Sequence, residues 1–217
     1  VIDAAERTGS KIIIDDKLPK ELNDMAATLA KVKATNPDVL TVSGHSKGAL
    51  TAIRQISEMQ VDIPMLAMTH CDASKLAKQH GKKSEYALCA AQWHKSLSYK
   101  DKYFGNGMKY DKDFNAEYGY TPPYQAAESS AALLVWKDAF ERANSTDTEK
   151  VRDALAKTDM QTFYGNIKFG SGGQNTAKPM VLFQVICDGD KCENKVVAPT
   201  KWASAKLVHP VPKWSER

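Results

Sequence analysis

The chain has 217 residues, 42% of them hydrophobic and 26% charged, the mix of an ordinary globular protein with room for one large domain or two small lobes. Its net charge of +4 comes from lysines scattered along the chain, with no run longer than Lys82-Lys83, which argues against a nucleic-acid surface of clustered basic residues and interleaved aromatics. No apolar run approaches the length needed to cross a bilayer.

The chain opens at Val1 on a helical-looking stretch, residues 2–7, with no cap before it and no secretory n-region, h-region or cleavage site. A preceding segment is therefore expected. Residues 11–15 (KIIID) form a short apolar run that predicts a buried strand. Asn23-Asp24 can cap a helix with Met25, Leu29 and Val32 on one face, and Asn36-Pro37-Asp38 stops it. Residues 39–43 (VLTVS) predict the next strand, residues 44–48 a tight loop, and Ala49, Ile53, Ile56 and Met59 one side of the helix that follows. Residues 64–69 predict a third strand, 72–79 a short helix and 86–91 a fourth strand. This alternation implies a parallel sheet with helices on both faces, an αβα three-layer arrangement. Binding sites in such sheets lie beyond the carboxyl ends of the strands, so Ser43 to Ser46, Thr69-His70 and Gln92-Trp93 are the residues to inspect.

From Lys100 the pattern turns helical. Residues 114–118 end one helix at Gly119; Pro122-Pro123 opens a long one with an apolar stripe from Tyr124 to Phe140. Thr146-Asp147-Thr148-Glu149 reads as a capping box for a further helix. After Gly165 the chain reads as β: residues 166–169, 179–187 and 195–198, before a Pro-containing tail. Cys187 and Cys192 bracket an Asp188-Gly189 turn former, consistent with a hairpin disulfide or with two free thiols beside a turn. The disulfide would imply an oxidising compartment. The four cysteines lack the paired spacings of a zinc site.

The sharpest motif is Gly44-His45-Ser46-Lys47-Gly48, which matches G-x-S-x-G between a strand and a helix, the setting of a serine hydrolase elbow. Against that reading, residues 1–43 contain no HGGG-type oxyanion run, the only late histidine is His209 in the tail, and the helical middle supplies too few later strands. His70, Cys71 and Asp72 are adjacent and cannot normally converge on one ion. His45 and His70 follow neighbouring strands and read better as a ligand-binding pair than as a metal site. Trp93 stands where the sheet hands over to helices. Asn144-Ser145-Thr146 is a glycosylation sequon, relevant only in a eukaryotic secretory pathway.

An ordered set of segments resembles a known family. It runs from Asp24 and the Ala-rich helix after it, through residues 36–39 (NPDV), 52–55 (AIRQ), 63–66 (IPML), 91–93 (AQW) and 114–124 (FNAEYGYTPPY), to 149–155 (EKVRDAL), 162–169 (TFYGNIKF) and 178–180 (KPM). Together they resemble the C-terminal half of a type I extracytoplasmic solute-binding protein, of the branched-chain amino acid ABC-transporter type. The resemblance implies two α/β lobes joined by three crossovers and closing on a small ligand. It makes residues 1–91 most of the second lobe, 92–165 a helical segment of an incomplete first lobe, and 166–217 the β return to the second lobe with an irregular tail. The N-terminal part of the first lobe, the first strand of the second lobe and a secretion signal lie outside this sequence. Carried over, the family's ligand positions fall on His45, Ser46, Thr69, His70, Trp93, Tyr124 and Gln125. The acidic group that receives an amino acid's ammonium is replaced by Thr69-His70, which favours an aromatic, amide-like or anionic solute. The implied protein is periplasmic or extracellular and is not an enzyme, with no catalytic residue, cofactor or metal. Its implied partners are a small-molecule ligand, a membrane permease and the missing N-terminal portion, with no nucleic acid. The alternatives are a hydrolase using Ser46, or a secreted structural protein reusing the fold.

Overall fold

The computed structural model describes residues 2–71 and 73–217, leaving aside the side chains of residues 73–75 and 77. In chain order the elements are α1 (Ile2–Thr8), α2 (Ala26–Thr35), β1 (Leu40–Val42), α3 (Ser46–Glu58), β2 (Leu66–Met68), α4 (Ala73–His80) and β3 (Leu88–Ala91). There follow β4 (Lys100–Asp101), β5 (Gly105–Asn106), α5 (Gly107–Tyr118), α6 (Tyr124–Ala143), α7 (Thr148–Ala156), β6 (Asp159–Thr162), β7 (Gly165–Lys168), β8 (Val181–Asp188) and β9 (Lys191–Ala198). Asp72, expected to open the short helix, lies outside the described residues.

The chain divides into two compact units. The first takes the chain up to Ala90, Leu182–Lys195 and Ala205–Arg217; the second takes Ala91–Val181 and Val196–Ser204. A five-stranded sheet runs in the order β1-β2-β3-β8-β9. Strands β1, β2 and β3 are parallel, with Val42 opposite Met68 and Met68 opposite Cys89. This is the predicted alternation: each strand is a short apolar run, and each following helix lays an apolar face on the sheet. Leu29 and Val32 of α2, and Ala52, Ile53 and Ile56 of α3, are buried with Met68, Leu88 and Val185 of the strands. The Asp24 carboxylate accepts the Ala26 N–H, and Gln55 on α3 bonds both Asp24 and the Met25 N–H, so the start of α2 is tied to α3. The tail packs on this unit: Val208 exchanges hydrogen bonds with the fully buried Gln184 amide, and the Trp214 indole N–H donates to the Val61 carbonyl.

Residues 11–15 are not a strand. Ile12 and Ile13 are 41% and 48% exposed. An apolar run becomes a strand only when a neighbour pairs its backbone groups, and none does here.

In the second unit, an aromatic cluster forms the core. Tyr110 stacks on Phe163 at 4.3 Å, and Trp93 meets both rings edge-on. The Asp101 carboxylate pins this cluster by accepting the N–H groups of Tyr103, Phe104 and Phe163. Helix α5 starts where the Asn106 side chain accepts the Lys109 N–H, and it ends as expected at Gly119, which at φ 75° closes it. Helix α7 has Asp147, not Thr146, at its N-cap: the Asp147 carboxylate accepts the Lys150 N–H at 3.0 Å. Helices α6 and α7 meet through Ala139, Val151 and Ala154. Strands β6 and β7 form an antiparallel hairpin, of which β6 had no clear apolar signal.

Candidate functional site

The carboxyl ends of β1 and β2 are neighbours in the first unit, and four of the predicted ligand residues follow them. The ladder extends one step beyond the strands, where Thr69 N–H donates to the Val42 carbonyl. The Thr69 hydroxyl then engages Gly44 twice, accepting its N–H at 2.9 Å and donating to its carbonyl at 3.1 Å. One short side chain thereby locks the two loops together, immediately before His45 and His70. The two imidazoles stand with ring centroids 5.6 Å apart and planes inclined at 49°. His45 is the N-cap of α3 but makes no side-chain cap bond. His70 is held at φ 51°, in the left-handed region. The next residue, Cys71, is disulfide-bonded to Cys89 on β3, so the His70 loop is fastened on both sides.

Ser46 is the first residue of α3 and is half-buried. Neither it nor His45 is among the residues with positive φ, so the strained turn of a nucleophile elbow is not formed here. His209 sits by the Pro64 carbonyl, 3.3 Å from its Nδ1, just before the amino end of β2, whereas Ser46 follows the carboxyl end of β1.

The other predicted residues belong to the second unit. Trp93 is 5% exposed within the aromatic core, and its indole N–H is buried without a hydrogen-bond partner. Tyr124 and Gln125 open α6, half-buried and exposed respectively. The second unit also carries a groove of about 730 Å³, walled by Glu128, Val135 and Trp136 of α6, by Arg152 and Leu155 of α7, and by Tyr164, Phe169 and Lys178. Lys178 crosses Gly165, donates to the Gln92 carbonyl and holds its ammonium 4.4 Å from the centre of the Tyr164 ring. Burial pushes the Lys178 ammonium down to about 8, against the opposing pull of Glu128. Burial, helped by Glu128, also raises the Tyr164 phenol. The sequence carried no signal for this lysine beyond the Lys178-Pro179-Met180 match.

Both cysteine pairs are disulfide-bonded. Cys187 joins Cys192 across the β8–β9 turn, and Cys71 joins Cys89. The second bond escaped sequence reading because its cysteines lie on different strand-and-loop units and meet only through the parallel register.

Comparison with known proteins follows the same lines. The family model described as periplasmic binding protein matches residues 1–191. The leucine-binding protein LivK of Thermotoga maritima has a similar structure, with 21% identity and a TM-score of 0.72, over 92% of this chain and 55% of that one. A solute-binding protein of an ABC transporter from R. palustris, solved with benzoate, is similar at 16% identity and TM-score 0.68, over 94% of this chain and 56% of that one. One from Rhodopseudomonas palustris BisB5, solved with 3,4-dihydroxybenzoic acid, gives 15% and 0.73, over 96% and 56%. The chain thus spans a little over half the length of the solved structures it matches.

Proposed function

The chain belongs to the periplasmic binding protein family, and on that premise we propose that it is the ligand-binding component of an ABC-type uptake system, holding a small molecule at the corner formed by His45, Ser46, Thr69 and His70. The observation that carries this reading is the paired imidazoles on two interlocked loops at the carboxyl ends of adjacent parallel strands. Such strand ends are where open α/β sheets take ligands.

No carboxylate occurs among residues 43–46 or at Thr69-His70, so an α-amino group would lose its charge-assisted bond there. The start of α3 instead offers backbone N–H groups without a side-chain cap. An aromatic carboxylate or amide-like solute suits this chemistry better than an amino acid, as do the benzoate-type ligands of two similar structures.

The first unit then corresponds to a second lobe and the second unit to part of a first lobe. The groove on α6, with Leu133, Trp136 and Phe140 exposed beside it, supports a further α/β portion of the same protein as its cover. The two disulfides support an oxidising, extracytoplasmic location, and no helix among the described residues is long and apolar enough to cross a membrane. Closure of lobes on the solute would present a surface to a membrane permease. The helix-start geometry of Ser46, without positive φ, supports binding without chemistry on the solute.

Calorimetric titration of the protein with benzoate, 3,4-dihydroxybenzoate and leucine tests this reading. Saturable binding of a benzoate, weakened at least tenfold by His45→Ala, is expected. Turnover of an ester substrate lost in Ser46→Ala would favour the hydrolase instead.

A further inference from the structure

Two imidazoles with ring centroids 5.6 Å apart on locked loops have a chemistry that solute binding alone does not use. We propose that His45 and His70 together bind one divalent transition-metal ion of borderline softness, such as Zn²⁺ or Ni²⁺, whose remaining coordination positions face the solute; only this last clause rests on the reading above. Imidazole nitrogens ligate such ions at about 2.0–2.1 Å, and with a near-tetrahedral angle at the metal that places two ring centroids roughly 5–5.5 Å apart. The observed separation is 5.6 Å.

The supports of the pair are those a metal site needs. Loose ligands lose affinity to the ordering of their own side chains, and fixed ones do not. Here the Thr69 hydroxyl bonds Gly44 N–H and carbonyl, fixing the backbone before each histidine, and the Cys71–Cys89 disulfide fixes the backbone after His70. Spending a left-handed conformation on a residue other than glycine, at φ 51°, aims the His70 ring where a helical or extended backbone would not. Two protein ligands leave at least two positions open on a four-coordinate ion. The N–H groups opening α3 lie one residue beyond His45; their positive end opposes a bare cation, so the ion is expected to carry an anionic oxygen as a further ligand there.

The test is a calorimetric titration of the chain with ZnCl₂ in a non-chelating buffer. The variants are His45→Ser, which keeps a good N-cap, and His70→Asn, which tolerates the left-handed backbone. One ion per chain is expected, with affinity falling at least tenfold in each variant and unchanged in His209→Ala. Absence of saturable Zn²⁺ binding, or an isotherm unaltered in the double variant, overturns the metal site. The solute reading is tested separately by adding benzoate to the Zn²⁺-loaded and Zn²⁺-free protein. Zn²⁺ binding that depends on both histidines, with no benzoate binding in either form, would uphold the metal site and remove the solute reading.

Discussion

His70 is held in the left-handed region, where a residue with a β-carbon pays about 1 kcal/mol that glycine does not. His70→Gly is therefore expected to leave stability within about 1 kcal/mol of the parent by urea denaturation, while removing the imidazole. A much larger loss would mean that the ring serves packing. Gly165 presents the opposite case: its φ is 152°, and a β-carbon there would collide with the Lys178 side chain. Gly165→Ala should cost about 2 kcal/mol or more, read from the same curves. Lys178 carries a pH dependence. Its ammonium is pushed down to about 8 by burial, so the folded chain releases a proton that the unfolded chain keeps up to the ordinary lysine range. The unfolded state binds more protons in that window, so the burial penalty is complete below about pH 8 and is relieved as pH rises through the alkaline range. Against Lys178→Met, the parent should gain up to about 3 kcal/mol between pH 7 and 10.5. A difference that stays flat with pH would contradict this origin.

At the scale of elements, local signals and long-range ones separate cleanly. Helix α7 starts at Asp147 because its carboxylate reaches the Lys150 N–H, three residues on. Asp147→Ala should cost about 1 kcal/mol, measured as a lower midpoint in urea. The Cys71–Cys89 bond joins the exit of β2 to β3 across 18 residues. Replacing both cysteines by alanine should cost about 3 kcal/mol through the freed unfolded chain. The same replacement should weaken any ligand of His70, since that loop loses its second anchor. The Asp101 carboxylate closes the turn between β4 and β5 and ties it to Phe163 by accepting three backbone N–H groups, two of them close by and the third distant in sequence.

At the scale of the whole molecule, the first unit has its sheet covered by α2 and α3 and its tail fastened by Gln184 and Trp214. The second unit has a buried aromatic core but leaves Leu133, Trp136 and Phe140 exposed on α6. If those side chains await more of the same protein, Trp136→Lys should change the stability of this chain by no more than about 0.5 kcal/mol. In a protein carrying the rest of the family's fold it should destabilise markedly, as does charging any buried surface. Equal small effects in both would remove the proposed cover.

Periodicity, turn residues and caps are local, and the sequence by itself determined what depends on them: the β-α-β alternation, the apolar faces of α2 and α3, the opening of α6 at Pro122-Pro123 and the turn at Asp188-Gly189. It also placed His45 and His70 after neighbouring strands. Only the tertiary structure decided that their rings stand 5.6 Å apart, that Cys71 meets Cys89, that Lys178 crosses Gly165 to Gln92, and that residues 11–15 find no strand to pair with among the described residues. Each of those depends on register between segments far apart in the chain, and register is set by packing, which no single stretch of residues encodes.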